Sequence, residues 1–255
     1  MMKEKIKVQE IFGKNKEAYV TSSTHAGGTD LELLKEWLEL KSDMVALDIA
    51  TGGGHVTKTI SPYVKTVIST DITKEMLENT ANYLSDLTNT HYVIADAENL
   101  PFIDNYFDIV TCRIAAHHFP DAGKFIDEVQ RVLKPSGKFL FIDNIAPENK
   151  HYDAFINALE KMRDDSHIRS RKIPEWKSLL ERNKLKLLKE TKRKKTLPYA
   201  EWVHRTLDST DKIEKVSHYL NDAPETIQNY YQFKFNAEGD IQSFAIDEWM
   251  ALYEK

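Results

Sequence analysis

An α/β fold with a mostly parallel sheet and helices on both faces follows from two observations. Between Thr29 and about Asp143, short apolar runs alternate with stretches whose apolar residues recur at helical spacing. The runs are nearly continuous instead of alternating apolar with polar, as expected of strands buried on both faces. A third observation locates a site. The runs close on acids, Asp48, Asp71, Asp96 and Asp143, and open parallel sheets take ligands beyond the carboxyl ends of their strands.

The elements can be justified in order. Thr29-Asp30-Leu31-Glu32 reads as a capping box, opening a helix with Leu31, Leu34 and Leu38 on one face. Met44 to Leu47 forms a first strand leading to Asp48 and a glycine turn, and Thr66 to Thr70 a second leading to Asp71. Thr73 is placed to cap a helix that buries Met76, Leu77, Ala81 and Leu84. His91 to Ala95 is the third strand and Phe107 to Cys112 the fourth. A helix carrying Phe125, Val129 and Val132 runs into Leu133-Lys134-Pro135-Ser136-Gly137, a stop and turn, before a fifth strand over 138–143. Beyond it, Pro147 can start a helix with Tyr152, Phe155, Ile156, Leu159 and Met162. The segment 163–169 is polar and irregular, Pro174 opens a short helix, and Leu185 to Lys192 reads as an edge strand. Residues 199–231 look helical. Phe233–Phe235 and Ile241–Phe244 flank a hairpin turn over 236–240, and Trp249 to Tyr253 makes a last strand.

Composition narrows the classes of function. The chain has 255 residues, 41% hydrophobic and 29% charged, with a formal net charge of −5, so no global basic field draws it to nucleic acid or an anionic membrane. Its apolar runs reach only four or five residues, as in Phe139–Ile142, against about twenty for a membrane-spanning helix. No signal-peptide pattern follows Met1. A single cysteine, Cys112, excludes an intramolecular disulfide and suits a cytoplasmic location. One stretch departs from the average: 169–195 holds twelve Lys or Arg against three Glu. It could meet RNA phosphates or an acidic carrier, but a solvated helix face and a lysine-guarded edge strand is the favoured reading.

Three of only nine glycines stand together at 52–54. Between strand and helix, such a turn brings backbone N–H groups close to a ligand. A dinucleotide site asks for G-x-G-x-x-G. Gly52 and Gly54 fit its first two positions, Thr57 fails the third, and Asp48 just ahead of the turn would repel a diphosphate. An NAD-dependent oxidoreductase is therefore the weakest reading.

The segment Asp48-Ile49-Ala50-Thr51-Gly52-Gly53-Gly54 instead resembles motif I of class I S-adenosylmethionine-dependent methyltransferases, D/E-x-G-x-G-x-G, with Ala50 where the first glycine usually lies. The resemblance runs from about residue 43 to 143 and includes Phe107–Val110 and Arg131–Lys138. It implies a Rossmann-like class I fold with a seven-stranded, mostly parallel sheet, and S-adenosyl-L-methionine as cofactor. It places Asp48, Ala50, Thr51, Gly52 and Gly54 at the methionine end. Asp71 falls at the ribose hydroxyls, with Ile72 and Met76 on the adenine faces. Asp96, Ala97 and Glu98 fall at the adenine edge, and Arg113 on the segment facing the cofactor's amino group. Within the family the chain is similar to the small-molecule branch of ubiquinone- and menaquinone-biosynthesis-type enzymes.

That branch often carries a histidine pair after the fourth strand, matched here by His117 and His118, and the N/D-P-P-aromatic motif of exocyclic-amine methyltransferases is absent. The pair are candidate general bases, with a structural role beside Asp121 or a loop carbonyl as the plain alternative; no ligand cluster points to a metal. Residues 1–28 resemble an N-terminal lid, from which Tyr19 and His25 could reach cofactor or substrate. Arg163, Ser166 and His167 are substrate-region candidates. The expected organisation is one domain over 1–255: lid to 28, cofactor core 29–145, helical cap with an edge strand 146–231, and C-terminal hairpin and strand 232–255. The expected activity is methyl transfer to a small organic acceptor. An RNA or other nucleic-acid methyltransferase, or a catalytically silent cofactor-binding protein, are the alternatives. Acceptor atom and oligomeric state stay open at this level.

Overall fold

The structure, a computed structural model, describes residues 2–15 and 29–255. Five strands form a parallel set, each paired with its neighbours in the sheet: β1 (Val45–Ile49), β2 (Thr66–Asp71), β3 (Thr90–Ile94), β4 (Phe107–Arg113) and β5 (Leu133–Ile145). The sheet order is β3-β2-β1-β4-β5-β8-β6, where β6 is Lys186–Pro198 and β8 is Ile241–Glu254, both antiparallel additions. A two-residue strand, β7 (Lys234–Phe235), pairs with β8 as an eighth member beyond the seven expected. The chain reverses direction across the sheet between β1 and β4, and this switch point opens a crevice at the strands' carboxyl ends.

The near-continuous apolar runs are buried on both faces, each strand sending alternate residues to opposite sides. Leu47, Val110, Phe139, Phe141 and Trp249 pack with Phe125 and Val129 of α5 (Ala122–Val132) and Trp176 of α7 (Ile173–Arg182). Their neighbours Ala46, Ile109, Leu140, Ile142 and Met250 pack on the other face. They meet Leu31, Leu34 and Leu38 of α2 (Thr29–Leu38), with Val56 and Ile60 of α3 (His55–Ile60). A third core joins α6 (Lys150–Arg163), α8 (Tyr199–His204), α9 (Thr210–Asn221) and α10 (Glu225–Tyr230) around Leu159, Trp202, Val216 and Phe244, over the ends of β6 and β8. The remaining helices are α1 (Met2–Lys14) and α4 (Lys74–Tyr83).

Several boundaries differ from the sequence expectation, each for a tertiary reason. The hairpin strand and the last strand are one strand, β8, because β5 and β6 pair with it along its length. The edge strand likewise runs on to Pro198. Leu133–Gly137 is no free turn: Leu133 pairs with Phe107, and the Ser136 and Lys255 amides bond across to Lys255 and Gly137 carbonyls. The helix expected from Pro147 begins at Lys150, capped by Asn149, whose side chain accepts from the His151 amide. Thr73 occupies an N-cap position without making the side-chain bond. Thr29 is the first helical residue, and its hydroxyl accepts from Arg193 Nη1 at 2.7 Å.

Gly54 shows how the turn is locked to its neighbour. Its φ is +77°, and a Cβ there would stand 2.6 Å from Thr80 Cγ2 and 2.8 Å from Leu84 Cδ1. Left-handed strain and overpacking each cost roughly 1–3 kcal/mol, so Gly54→Ala should lower unfolding stability by about 2–5 kcal/mol in urea titration. A loss under 0.5 kcal/mol would show that α4 is not held against the turn.

Candidate active site

Asp48 sits at the end of β1, 1% exposed, and the local sequence surrounds it with hydroxyls. Thr51 and Thr57 donate to Oδ2 at 2.6 and 2.8 Å, and Thr111 of β4 donates to Oδ1 at 2.9 Å. Burial pushes this carboxyl above its ordinary pKa, and the three hydroxyls pull it back. The acid expected to face a ligand is thus largely a brace, with Thr57, the residue that broke the dinucleotide pattern, as one strut. Ala50 takes a left-handed φ of +53° where the family pattern has glycine, an unfavourable but accessible conformation for alanine.

A cavity of about 1000 Å³ lies above this turn. Asp48, Ala50, Thr51, Gly52, Asp71, Ile72, Asp96, Ala97, Glu98 and Arg113 all line it, so ten of the twelve expected cofactor residues converge. Gly54 and Met76 do not. Gly54 serves packing, and Met76 is buried beneath the turn, its Cε 3.9 Å from where a Gly52 Cβ would be. Gly53, His55 and three residues of α1, Lys5, Val8 and Phe12, line the cavity unforeseen. Tyr19 and His25 lie outside the described residues.

The cavity's charges are specific. Asp71 accepts from the Thr73 amide at 2.9 Å and the Gly52 amide at 3.2 Å, and burial raises its pKa to about 6. Lys5 places its ammonium 2.6 Å from Asp96 Oδ2 and 2.5 Å from Glu98 Oε2, where the resemblance puts an adenine amine. Arg113 gives Nε to Asp30 Oδ2 at 2.5 Å and keeps a buried Nη2 without a hydrogen-bond partner among the described residues. Against burial, Arg113 and Arg193 hold Asp30 at about 2. Four carboxylates against two cations favour a cationic ligand, and the orphaned guanidinium nitrogen fits a carboxylate within that ligand.

A second cavity, of about 450 Å³, shares Phe12, Ile114 and His118 with the first. It adds His117, Asn144, Glu160, Arg163, Lys195, Leu197, Trp202, Arg205 and Ile246. The histidine pair is brought together with ring centroids 4.2 Å apart, in two different states. His117 Nδ1 meets Asp143 Oδ1 at 2.6 Å. Burial opposes a charge there, yet the Asp143 carboxylate outweighs it and raises the His117 pKa. His118 lacks such a partner, and burial followed by the charge on His117 lowers it to about 4. Ser166 gives its hydroxyl proton to Asp164 Oδ1 at 2.5 Å, so at 3.1 Å from His118 Nδ1 it must accept. His118 is therefore the neutral Nδ1–H tautomer with a lone pair on Nε2.

The cap candidates divide. Arg163 lines the second cavity, bonded to Glu160 Oε2 through Nε at 3.2 Å and Nη2 at 2.8 Å and stacked over Trp202. Ser166 sets the His118 tautomer. His167 lines neither cavity; its Nε2 meets Asn157 Oδ1 at 3.0 Å inside the cap turn. Asp143 was legible as a strand-end acid, but its pairing with His117 was not; Lys195 and Arg205 were hidden in a basic run and a helix end. Among the described residues no cluster of three or more His, Cys, Asp or Glu could hold a metal ion.

The basic stretch is spent internally. Lys192 and Lys194 approach Asp247 at 3.3 and 3.4 Å, Arg193 bonds Glu248 and Asp30, and Lys195 lies 3.4 Å from Glu248. Lys177 meets Glu190, and Arg169 and Lys172 meet Asp153. These carboxylates consume much of the field that the RNA alternative required, and Lys195 is buried, contrary to a wholly solvated face.

Comparison with known proteins gives the family. The methyltransferase-domain family matches residues 47–141. An uncharacterized methyltransferase of Bacillus subtilis (strain 168), YcgJ, is 36% identical over 237 residues, covering 92% of this chain and 94% of the relative. Its 2.1 Å crystal structure superposes with a TM-score of 0.85 at 35% identity, covering 88% and 97% of the two chains. A Bacillus halodurans C-125 protein provisionally classed as a methyltransferase gives 0.86 at 36% identity, covering 89% and 99%. The fold and site define a class I methyltransferase. The chain belongs to the methyltransferase family and is an S-adenosylmethionine-dependent enzyme of that class.

Asp71 sets a pH dependence. As an acid with a raised folded-state value, it loses stability to ionisation as pH rises from the unfolded value of about 4 to 6. A ligand hydroxyl donating to the carboxylate favours the charged form, so S-adenosylhomocysteine affinity should fall below pH 6 by up to about tenfold per unit. Calorimetry from pH 7.5 to 5 checks this, and Asp71→Asn should flatten that component; an unchanged slope in the variant would place the titration elsewhere.

Proposed function

We propose that the protein transfers a methyl group from S-adenosylmethionine to a small organic acceptor, the donor in the first cavity and the acceptor in the second. The observation that carries this reading is the shared wall: an acid-lined cavity over a glycine turn meets a smaller polar cavity at His118. When bound, the cofactor supplies an electrophilic methyl on a cationic sulfur. Asp71 would take the ribose hydroxyls, since one carboxylate has acceptor sites for both. Ile72 would pack on the adenine. Asp96 would accept from the adenine amine, sharing its carboxylate with Lys5, and Arg113 Nη2 would take the cofactor's carboxylate.

The chain's own contribution is alignment and exclusion of water. Phe12 lies edge-on to His118 with centroids 5.0 Å apart, so α1 closes the seam between the cavities. His118, neutral near pH 7 with Nε2 free of Ser166, is the group suited to accept a proton from an acceptor hydroxyl or acidic carbon. Asp143 favours the protonated form of His117 beside it, and a charge there disfavours a proton on His118. The chain reads as one domain, with α1 as part of a lid and the 146–231 region as a cap over the acceptor. The buried unpaired Cys112 supports a cytoplasmic location, and among the described residues no helix is long and apolar enough to cross a membrane.

Asp71→Ala should weaken S-adenosylmethionine and S-adenosylhomocysteine binding at least about tenfold, the scale of a hydrogen bond to a charged group. Tight NAD binding with neither nucleoside bound would sink the reading. A labelled-methyl screen of fractionated metabolites should yield an acceptor. With it, His118→Ala should reduce turnover by about 10²–10⁴-fold while leaving cofactor affinity nearly unchanged; full turnover in that variant would remove the base from the mechanism.

A further inference from the structure

A partly buried chain of alternating charges joins the two cavities. Arg113, in the wall of the first, donates to Asp30 Oδ2. Asp30 Oδ1 lies 2.8 Å from Arg193 Nη2. Arg193 Nε donates to Glu248 Oε1 at 2.5 Å, and Glu248 Oε2 lies 3.4 Å from the ammonium of Lys195, in the wall of the second cavity. Three cations thus share two carboxylates, both nearly fully buried, and the chain ends in a cation at each cavity. Such a row carries one net positive charge, which a single anion at either end balances, and the wall of the second cavity adds Arg163 and Arg205 against Glu160. At the Arg113 end, the proposed cofactor brings a carboxylate. Among the described residues, the wall at the Lys195 end holds a single carboxylate. Glu160, the carboxylate in that wall, is already bonded twice by Arg163, whereas Arg205 adds further positive charge.

We propose that the methyl acceptor carries an oxyanion, a carboxylate or a phosphate, held by Lys195 with Arg205, its reacting atom toward His118. This rests on the cavity assignment above. Around Lys195 the facing charges are Glu248 and Arg193 from the sheet, Arg113 and Asp30 behind them, and Glu160, Arg163 and Arg205 from the cap. Burial disfavours the ammonium, and Glu248 sits beyond ordinary charged hydrogen-bond length. An incoming oxyanion would recover that loss, while a neutral acceptor would leave it. Trp202, under Arg163, offers a flat apolar wall for the body of the molecule.

The test uses the full chain saturated with S-adenosylhomocysteine, titrated with benzoate, phenyl phosphate and the neutral benzyl alcohol. At least one of the two anions should bind at least about tenfold more tightly than the alcohol, a preference of about 1.4 kcal/mol. The better anion distinguishes a carboxylate from a phosphate acceptor. Lys195→Met should abolish the preference, Lys195→Arg should retain it, and S-adenosylhomocysteine affinity should change little in either. If Lys195→Met fails to fold, Arg205→Gln should reduce the preference instead. Failure of S-adenosylhomocysteine to bind would overturn the cavity assignment itself. Equal binding of anions and alcohol by a cofactor-loaded protein, or full anion preference in Lys195→Met, would overturn this inference alone.

Discussion

The site depends on keeping one carboxylate buried. Asp48 stands where the first strand stops, under a turn that must expose its amides, and a charge there is costly unless every lone pair is directed. The chain meets this with three hydroxyls from three places: Thr51 in the turn, Thr57 in α3 and Thr111 on β4. Thr57 also bonds Ser69 of β2 at 2.6 Å. The resulting knot ties β1 to both neighbouring strands and to the helix that follows. It fixes the height of the glycine turn against the sheet, and Gly54 fixes that turn against α4. Asp71 and Arg113 are then delivered to opposite sides of one crevice by β2 and β4, the strands that flank β1.

Charge asymmetry distinguishes the two histidines more sharply than position does. They are adjacent in sequence, both buried, and both in the second cavity's wall. Asp143 binds one and so makes the other a poorer place for a second proton. The cap contributes the complementary step, since Asp164 claims the Ser166 proton and thereby selects the His118 tautomer. The two imidazoles are thus set apart by two acids, one at the end of a core strand and one in the cap turn. Folding of the cap onto the sheet is what completes the pair.

The sequence was most legible where local pattern and tertiary role coincide. Apolar runs, helix spacing and strand-end acids marked the parallel half, and ten of the twelve residues expected at the cofactor line one cavity. It was least legible where a residue's meaning depends on a distant partner. Met76 has the right chemistry to face an adenine but points into the core beneath Gly52. Gly54 fits a ligand-binding motif, yet it is required by Thr80 and Leu84. His167 stands beside Ser166 in a polar turn and bonds Asn157, an amide on helix α6 that only the folding of the turn back onto that helix brings within reach. Strand lengths failed for the same reason: β6 and β8 extend because each supplies the other's hydrogen bonds over thirteen and fourteen residues, a property of the pair.

The modest net charge conceals the most consequential example. A run of Lys192, Arg193, Lys194 and Lys195 alternates sides along β6, as every strand must, and so cannot be one solvated face. β8 opposes it with Asp247 and Glu248, in an antiparallel register that sets Arg193 directly across from Glu248 and Lys194 across from Asp247. One side of the strand pair therefore neutralises itself near the surface, with Tyr230 covering Lys194 at 3.7 Å. The other sends Arg193 and Lys195 inward to meet Asp30 and Glu248 between the two cavities. A basic run that could have met nucleic acid becomes, through a strand register, a row of ion pairs between two cavities.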